Sequence, residues 1–372
     1  MKIILSSRRR HYVVRVSILL IVVALIAGMV GCSGNPASSE IYDWYDLDAI
    51  RHNLDGDYIL MNDLDSTTAG YAELASPAAN EGKGWEPIGT SDHYFTGTLD
   101  GQGYEICDFL INRPDQDAVG LFGLLYRAAV IKNLGVMNFN VTGNNGVGSL
   151  IGYALPYDID DTLPTVSNCY AIGSVTGNYD VGGLMGQGDG TVSNCYSGAN
   201  VTGGCGVGGL IGANQNIINN SYSTGSVTGD DSVGGLAGFL YYGTVSHSYS
   251  SGDVTGNSSV GGLVGNIDQS TVNNSYSTGN VTGSYHVGGL VGQNWCCGVV
   301  VSECFWDTET SGQATSDGGT GKNTTEMQEF TTFSGAGWNI TVVANSSIRS
   351  TSYIWNIVDD VTYPFLSWEP VS

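Results

Sequence analysis

Asn220-Ser221-Tyr222-Ser223-Thr224-Gly225-Ser226-Val227-Thr228-Gly229 runs on into Asp230-Asp231-Ser232-Val233-Gly234-Gly235-Leu236, and 27 residues later the chain repeats itself from His247-Ser248-Tyr249 through Val254-Thr255-Gly256 to Val260-Gly261-Gly262-Leu263. Val-Thr-Gly recurs at Val141, Val175, Val201, Val227, Val254 and Val281, at spacings of 34, 26, 26, 27 and 27 residues. Six residues after each of those valines stands Val-Gly-Gly-Leu, or once Val147-Gly148-Ser149-Leu150. Asn168-Cys169-Tyr170, Asn194-Cys195-Tyr196 and Asn274-Ser275-Tyr276 carry the other phrase, with Glu303-Cys304-Phe305 as a last degenerate copy. Val119-Gly120-Leu121-Phe122-Gly123 starts an earlier turn. So strict a register is the mark of a repeat architecture.

The unit is too rich in Val, Thr, Ser, Tyr and Gly for a helical repeat; these are strand and turn residues. It fits one coil of three short strands, whose backbone pairs with the coils above and below at ~4.8 Å. The expected fold is all-β, a parallel β-solenoid (β-helix-like) of about seven to eight coils with N- and C-terminal caps. One coil cannot bury its apolar face alone, so stability belongs to the array. Val175, Val201, Val227, Val254 and Val281 should form one interior column, and Leu184, Leu210, Leu236, Leu263 and Leu290 another. The 55 glycines are expected at corners that need positive φ. Tyr170, Tyr196, Tyr222, Tyr249 and Tyr276 read as a column knitting coils together, though stacked rings also suit sugar faces.

The phrases Val-Gly-Gly-Leu-Val-Gly, Asn-Ser-Tyr-Ser-Thr-Gly and Val-Thr-Gly resemble the GLUG repeat of bacterial and archaeal surface proteins and of immunoglobulin A1 metallopeptidase spacers. The resemblance covers about residues 119 to 305. It implies a β-helix-like solenoid and a surface location, and it implies no particular ligand.

Outside the repeats, Lys2, Arg8, Arg9, Arg10 and Arg15 precede the apolar run Val16 to Val30, the order of a secretory signal. Gly28-Met29-Val30-Gly31-Cys32 resembles the lipobox of prokaryotic lipoproteins, with Met29 where Leu is usual. Residues 1–31 then read as a lipoprotein signal peptide, Cys32 as the lipidated residue and 32–41 as a tether. The alternatives are cleavage without lipid or a retained apolar helix. Residues 42–118 read as an N-terminal cap with first coils, 119–305 as the solenoid and 306–372 as a Trp-rich C-terminal cap. Asp46-Leu47-Asp48-Ala49-Ile50 with Leu54 has helical spacing and is expected over the first coil.

The chain carries 12 basic and 35 acidic residues. Five of the basic ones lie in the signal, leaving 7 against 35, a net of −28. Such a surface repels nucleic acid. Setting Cys32 aside leaves seven cysteines without zinc spacing. Cys296 or Cys297 is placed to reach Cys304 across a short turn, and Cys169 and Cys195 read as packed thiols. No cofactor is indicated. Asp55, Asp57, Asp63 and Asp65 would suit Ca²⁺ if any group here does.

A polysaccharide lyase or hydrolase needs an acid/base pair on one face. The carboxylates avoid the strand phrases, and Val141 to Val291 contains no Lys or Arg. His-Glu-x-x-His is absent. The reading is therefore a non-enzymatic cell-surface module, adhesive or architectural, with a carbohydrate-active β-helix enzyme as the alternative. What varies between coils is the corner after each Gly-Gly-Leu-x-Gly. Stacking should bring Tyr153, Tyr157, Phe239, Tyr241, Tyr242 and Trp295 onto one edge, suited to a glycan or a surface protein.

Overall fold

The computed structural model describes residues 39–155, 162–215 and 217–371. The expected signal segment, Cys32 and Tyr157 lie outside them. Among the described residues no helix is long and apolar enough to cross a membrane.

Among the described residues, each coil from 145 to 307 has four faces rather than the three strands expected. In one coil they are Cys205–Gly208, Ile211–Asn214, Ile217–Asn219, and a fourth in two pieces, Tyr222–Ser223 and Val227–Thr228. The extra face arises because Gly-Gly-Leu reverses the chain between Gly208 and Ile211, dividing what reads in the sequence as one segment. Coil pairs with coil in parallel on every face, as Val207 with Val233, Ile211 with Ala237, Ile218 with Val245 and Val227 with Val254. The second face stacks seven strands and the third ten.

The two predicted columns are interior. Leu184, Leu210, Leu236, Leu263 and Leu290 are fully buried, and the Val-Thr-Gly valines nearly so. Leu210 N–H donates to the Leu236 carbonyl (3.0 Å) and Leu236 N–H to that of Leu263 (2.9 Å), so the corner itself joins the ladder. Each such side chain contributes ~1.5–3 kcal/mol by leaving water, and the backbone it carries is paired on both sides.

Glycine serves close approach more than positive φ. A Cβ on Gly238 would lie 2.3 Å from Val207 N and 2.5 Å from Gly206 C. Gly212, Gly265 and Gly292 stand in the same relation to the first face of the preceding coil. The left-handed conformation falls instead on the first residue of the tyrosine phrase: Asn168, Asn194, Asn220, His247, Asn274 and Glu303 have φ of 45 to 52°. Asparagine tolerates that region best among residues with a side chain. The turn aims the next N–H along the stack, where a small acceptor receives it. Cys195 N–H bonds Ser221 Oγ at 3.2 Å, Ser221 N–H bonds Ser248 Oγ at 3.2 Å, and Ser248 N–H bonds Ser275 Oγ at 3.1 Å. Cysteine and serine interchange in this column because either supplies the acceptor. Cys169 and Cys195 are packed, unbridged thiols. The expected approach of Cys296 or Cys297 to Cys304 does not occur: all three are unpaired, Cys304 buried in the ladder and the other two exposed.

The tyrosine column is a stack with ring centroids 4.9–5.0 Å apart and planes within 5°. It is also a docking face. Met327, Phe333, Trp338, Trp355 and Leu366 form a second core against Tyr222, Tyr249, Tyr276 and Phe305, with Trp368 half-buried over Tyr196 and Tyr222. The C-terminal segment therefore lies along the side of the solenoid as well as over its end. At the end proper, Trp306 stacks on Ser277. Gln313 donates to the Val281 carbonyl (2.8 Å), and Ser316 Oγ accepts from Val291 N–H (2.8 Å), satisfying edge groups that would otherwise invite another strand.

At the N-terminal end Ser39–Ile41, inside the stretch expected as tether, is a strand paired with Asp57–Leu60. The helix Trp44–Ala49 follows, its first N–H groups capped by Asp43, with Trp44, Leu47 and Ile50 buried. Capping of this kind contributes ~1 kcal/mol.

Candidate binding groove

The first and second faces meet at an inward fold on the outside of the coil. One wall comes from the residue before each Val-Gly-Gly: Gly146, Asp180, Gly206, Ser232, Ser259 and His286, all left-handed with φ between 51 and 67°. The facing wall is a second-face column in the register Tyr153, Gln187, Ala213, Phe239, Asn266, Gln293. The glycines Gly238, Gly265 and Gly292 let the two walls approach at the base. Ser259 Oγ donates to Gln293 Oε1 across it at 2.8 Å.

A cavity of about 270 Å³ runs between these walls, with Asp180, Cys205, Asp231, Phe239, Asn266, Gln293 and Trp295 among its lining residues. Trp295 is 65% exposed at one end. Phe239 lies edge-on to it, ring centroids 6.5 Å apart at 86°. Tyr241 is 6.1 Å beyond Phe239, nearly parallel, and Tyr242 abuts Tyr241 at 4.3 Å. Four of the six residues expected on one edge are thus together. Tyr153 shares the second-face column but sits three coils away, its ring over Gly146 and its phenol pushed up to about 12 by burial. Tyr157 is outside the described residues.

Electrostatically the groove is acidic. Burial pushes the Asp180 carboxyl up to about 6. The Cys205 thiol is also raised, first by burial and then by the Asp231 and Asp180 charges, which keeps it protonated and poorly nucleophilic. No Lys or Arg occurs between Val141 and Val291. Asn266 is only 5% exposed, and its Oδ1 lacks a hydrogen-bond partner. A buried acceptor left unpaired costs ~1–3 kcal/mol, so it favours any donor brought to it.

Sequence reading missed this polar wall because it weighed only the corners after Gly-Gly-Leu-x-Gly. The signal was available in the dipeptide before each Val-Gly-Gly, which changes from Tyr179-Asp180 to Cys205-Gly206, Asp231-Ser232, Ser258-Ser259 and Tyr285-His286 while the following residues stay fixed.

Among the described residues no group of three or more His, Cys, Asp or Glu is arranged to hold a metal ion. Of the N-terminal aspartates, Asp65 accepts from Thr67 N–H and both neighbouring threonine hydroxyls, and Asp63 accepts from Glu105 N–H. These are turn and strand contacts.

Residues 229–255 and 256–282 match the family model of the GLUG motif. Over 161 residues, 41% of the chain, it is 38% identical to halomucin of Haloquadratum walsbyi, covering 2% of that protein. Over 131 residues, 35% of the chain, it is 34% identical to a "putative Gly-rich membrane protein" of Evansella cellulosilytica, covering 14% of it. The chain thus spans a small fraction of these curated relatives. A crystal structure of a "putative immunoglobulin A1 protease" from Bacteroides ovatus superposes with a TM-score of 0.56 over 90% of this chain and 93% of that one. At 18% identity the likeness is one of fold.

Proposed function

We propose that the protein is a non-enzymatic cell-surface module, lipid-anchored through Cys32, whose groove binds envelope or extracellular polymer. The observation carrying this reading is the aromatic group of exposed Trp295 and Tyr242 with half-buried Phe239 and Tyr241, beside buried Asn266 with its unpartnered Oδ1. Apolar faces next to hydrogen-bonding groups are the chemistry of glycan and of protein contact. Exposed aromatic clusters of this kind mark interaction sites. The GLUG-motif region, and a relative named as a membrane protein, agree with a surface location.

Replacing Phe239, Tyr241 and Tyr242 together by Ser tests the reading. Thermal stability should change little, because Tyr242 is on the outside and the interior columns are untouched, while attachment of cells to extracellular matrix should weaken. Full attachment by a folded triple variant would leave the protein an architectural role. The second reading, a carbohydrate-active enzyme, is favoured by one feature: Asp180, with its raised pKa, shares the groove with Asp231. Turnover of a polysaccharide that stops with Asp180→Asn would establish it in place of the first.

A further inference from the structure

Resting on that reading, we infer that the groove takes an uncharged pyranose residue of a glycan, stacked on Trp295 and hydrogen-bonded by Asn266 and Gln293, and that it rejects uronate and sulfated chains. The cavity of about 270 Å³ is below the ~300–1,000 Å³ usual for drug-sized ligands, which suits one sugar ring rather than a folded peptide. Trp295 offers a flat, exposed indole. Phe239, set edge-on at 6.5 Å, buttresses it.

The polar lining favours donors. Asn266 Oδ1 is buried and unpartnered, and Gln293 Oε1 already accepts from Ser259 with a second lone pair free to accept again. A sugar hydroxyl can donate to these oxygens, whereas a carboxylate or sulfate group set against them can only accept. Charge acts in the same direction. Asp180 and Asp231 line the cavity, and no Lys or Arg between Val141 and Val291 is present to pair with an anion. Two like charges facing a ligand anion in a partly dehydrated groove disfavour it by about tenfold or more.

The purified chain would be titrated calorimetrically with neutral oligosaccharides (glucan, mannan and galactan series), with oligouronates and with sulfated oligosaccharides. Expected is saturable binding of at least one neutral series, at least tenfold tighter than any anionic one. Trp295→Ala should weaken it at least tenfold, and Trp295→Phe should retain most of it. Asp180→Asn with Asp231→Asn should raise the ratio of anionic to neutral affinity at least tenfold, melting curves confirming that each variant is folded. Preferential binding of oligouronates or sulfated chains would overturn the neutral-sugar inference and leave the polymer-binding function standing. Binding to no carbohydrate, with matrix attachment mediated by a protein, would overturn the inference. Loss of attachment as well would remove the functional reading.

Discussion

Gly238→Ala separates close approach from backbone conformation as the reason for the third glycine of Val-Gly-Gly-Leu-x-Gly. The added methyl would sit 2.3 Å from Val207 N, 2.5 Å from Gly206 C and 2.7 Å from Gly212 O, where ordinary contact begins at 3.4 Å. All three are backbone atoms, and Val207 and Ala237 are paired with their neighbouring coils, so no flexible side chain can yield. Relieving an overlap of about 1 Å in packed backbone costs ~1–3 kcal/mol or more. A compatible site would instead gain ~0.4–1 kcal/mol from the stiffer unfolded chain, so even the sign is informative. Urea unfolding followed by circular dichroism should show Gly238→Ala destabilised by ~2–3 kcal/mol. As a contrast, Asn220, with φ of 48°, should tolerate Gly better than Ala by about 1 kcal/mol, the usual left-handed penalty. A Gly238→Ala protein as stable as the parent would refute the close-approach account.

The Glu369 carboxyl, ordinarily near 4.5, is pushed up to about 7, chiefly by burial. Its folded pKa exceeds its unfolded one, so its contribution is intact below 4.5 and is lost as pH rises through about 7. The loss is at most roughly 3 kcal/mol, at 1.36 kcal/mol per pH unit. Glu369→Gln should flatten the stability profile between pH 4.5 and 7.5 in denaturant titrations, and an unchanged slope would contradict the assignment. Tyr222→Ser removes a ring stacked on both sides and packed under Trp368. It should cost about 3 kcal/mol in urea midpoint terms, in the range of large-to-small core changes; a neutral effect would mean the column is not structural. Cys32→Ala should move the protein from the membrane fraction to the medium, and unchanged retention would point to an apolar helix kept as anchor.

The solenoid was readable because its interior columns recur at a fixed offset, and Leu236 with its equivalents faces inward at every coil. Other features were hidden by chemistry that periodicity does not report. Positive φ was assigned to glycine, yet the stack places it on Asn220 and its equivalents, where a polar residue before Ser-Tyr looks like ordinary turn composition. Gly238 looks the same in sequence as a corner glycine, and only the facing strand one coil away explains it. The lateral course of the C-terminal segment depends on Trp355 and Trp338 meeting Tyr276 across some 60 to 80 residues, a pairing no local pattern announces. In the candidate groove, the aromatic side was visible as variation after Gly-Gly-Leu-x-Gly. Asp180 and Asp231 were not, because they approach Phe239 and Trp295 only when the first face folds against the second; Asn266, paired beside Phe239 in the second face, looks in sequence like any polar corner residue.

Tryptophan fluorescence addresses the binding surface most directly. Trp44, Trp85, Trp306, Trp338 and Trp355 are buried, Trp368 is half-buried, and Trp295 is 65% exposed. Red-edge emission should therefore come mainly from Trp295. Titrating the full chain with the neutral oligosaccharide series should give a saturable blue shift as a sugar covers that indole, absent in Trp295→Phe and weakened in Phe239→Ser. A blue shift of the same size in Trp295→Phe, or saturable binding that leaves the Trp295 emission unmoved, would contradict the groove as the site of recognition.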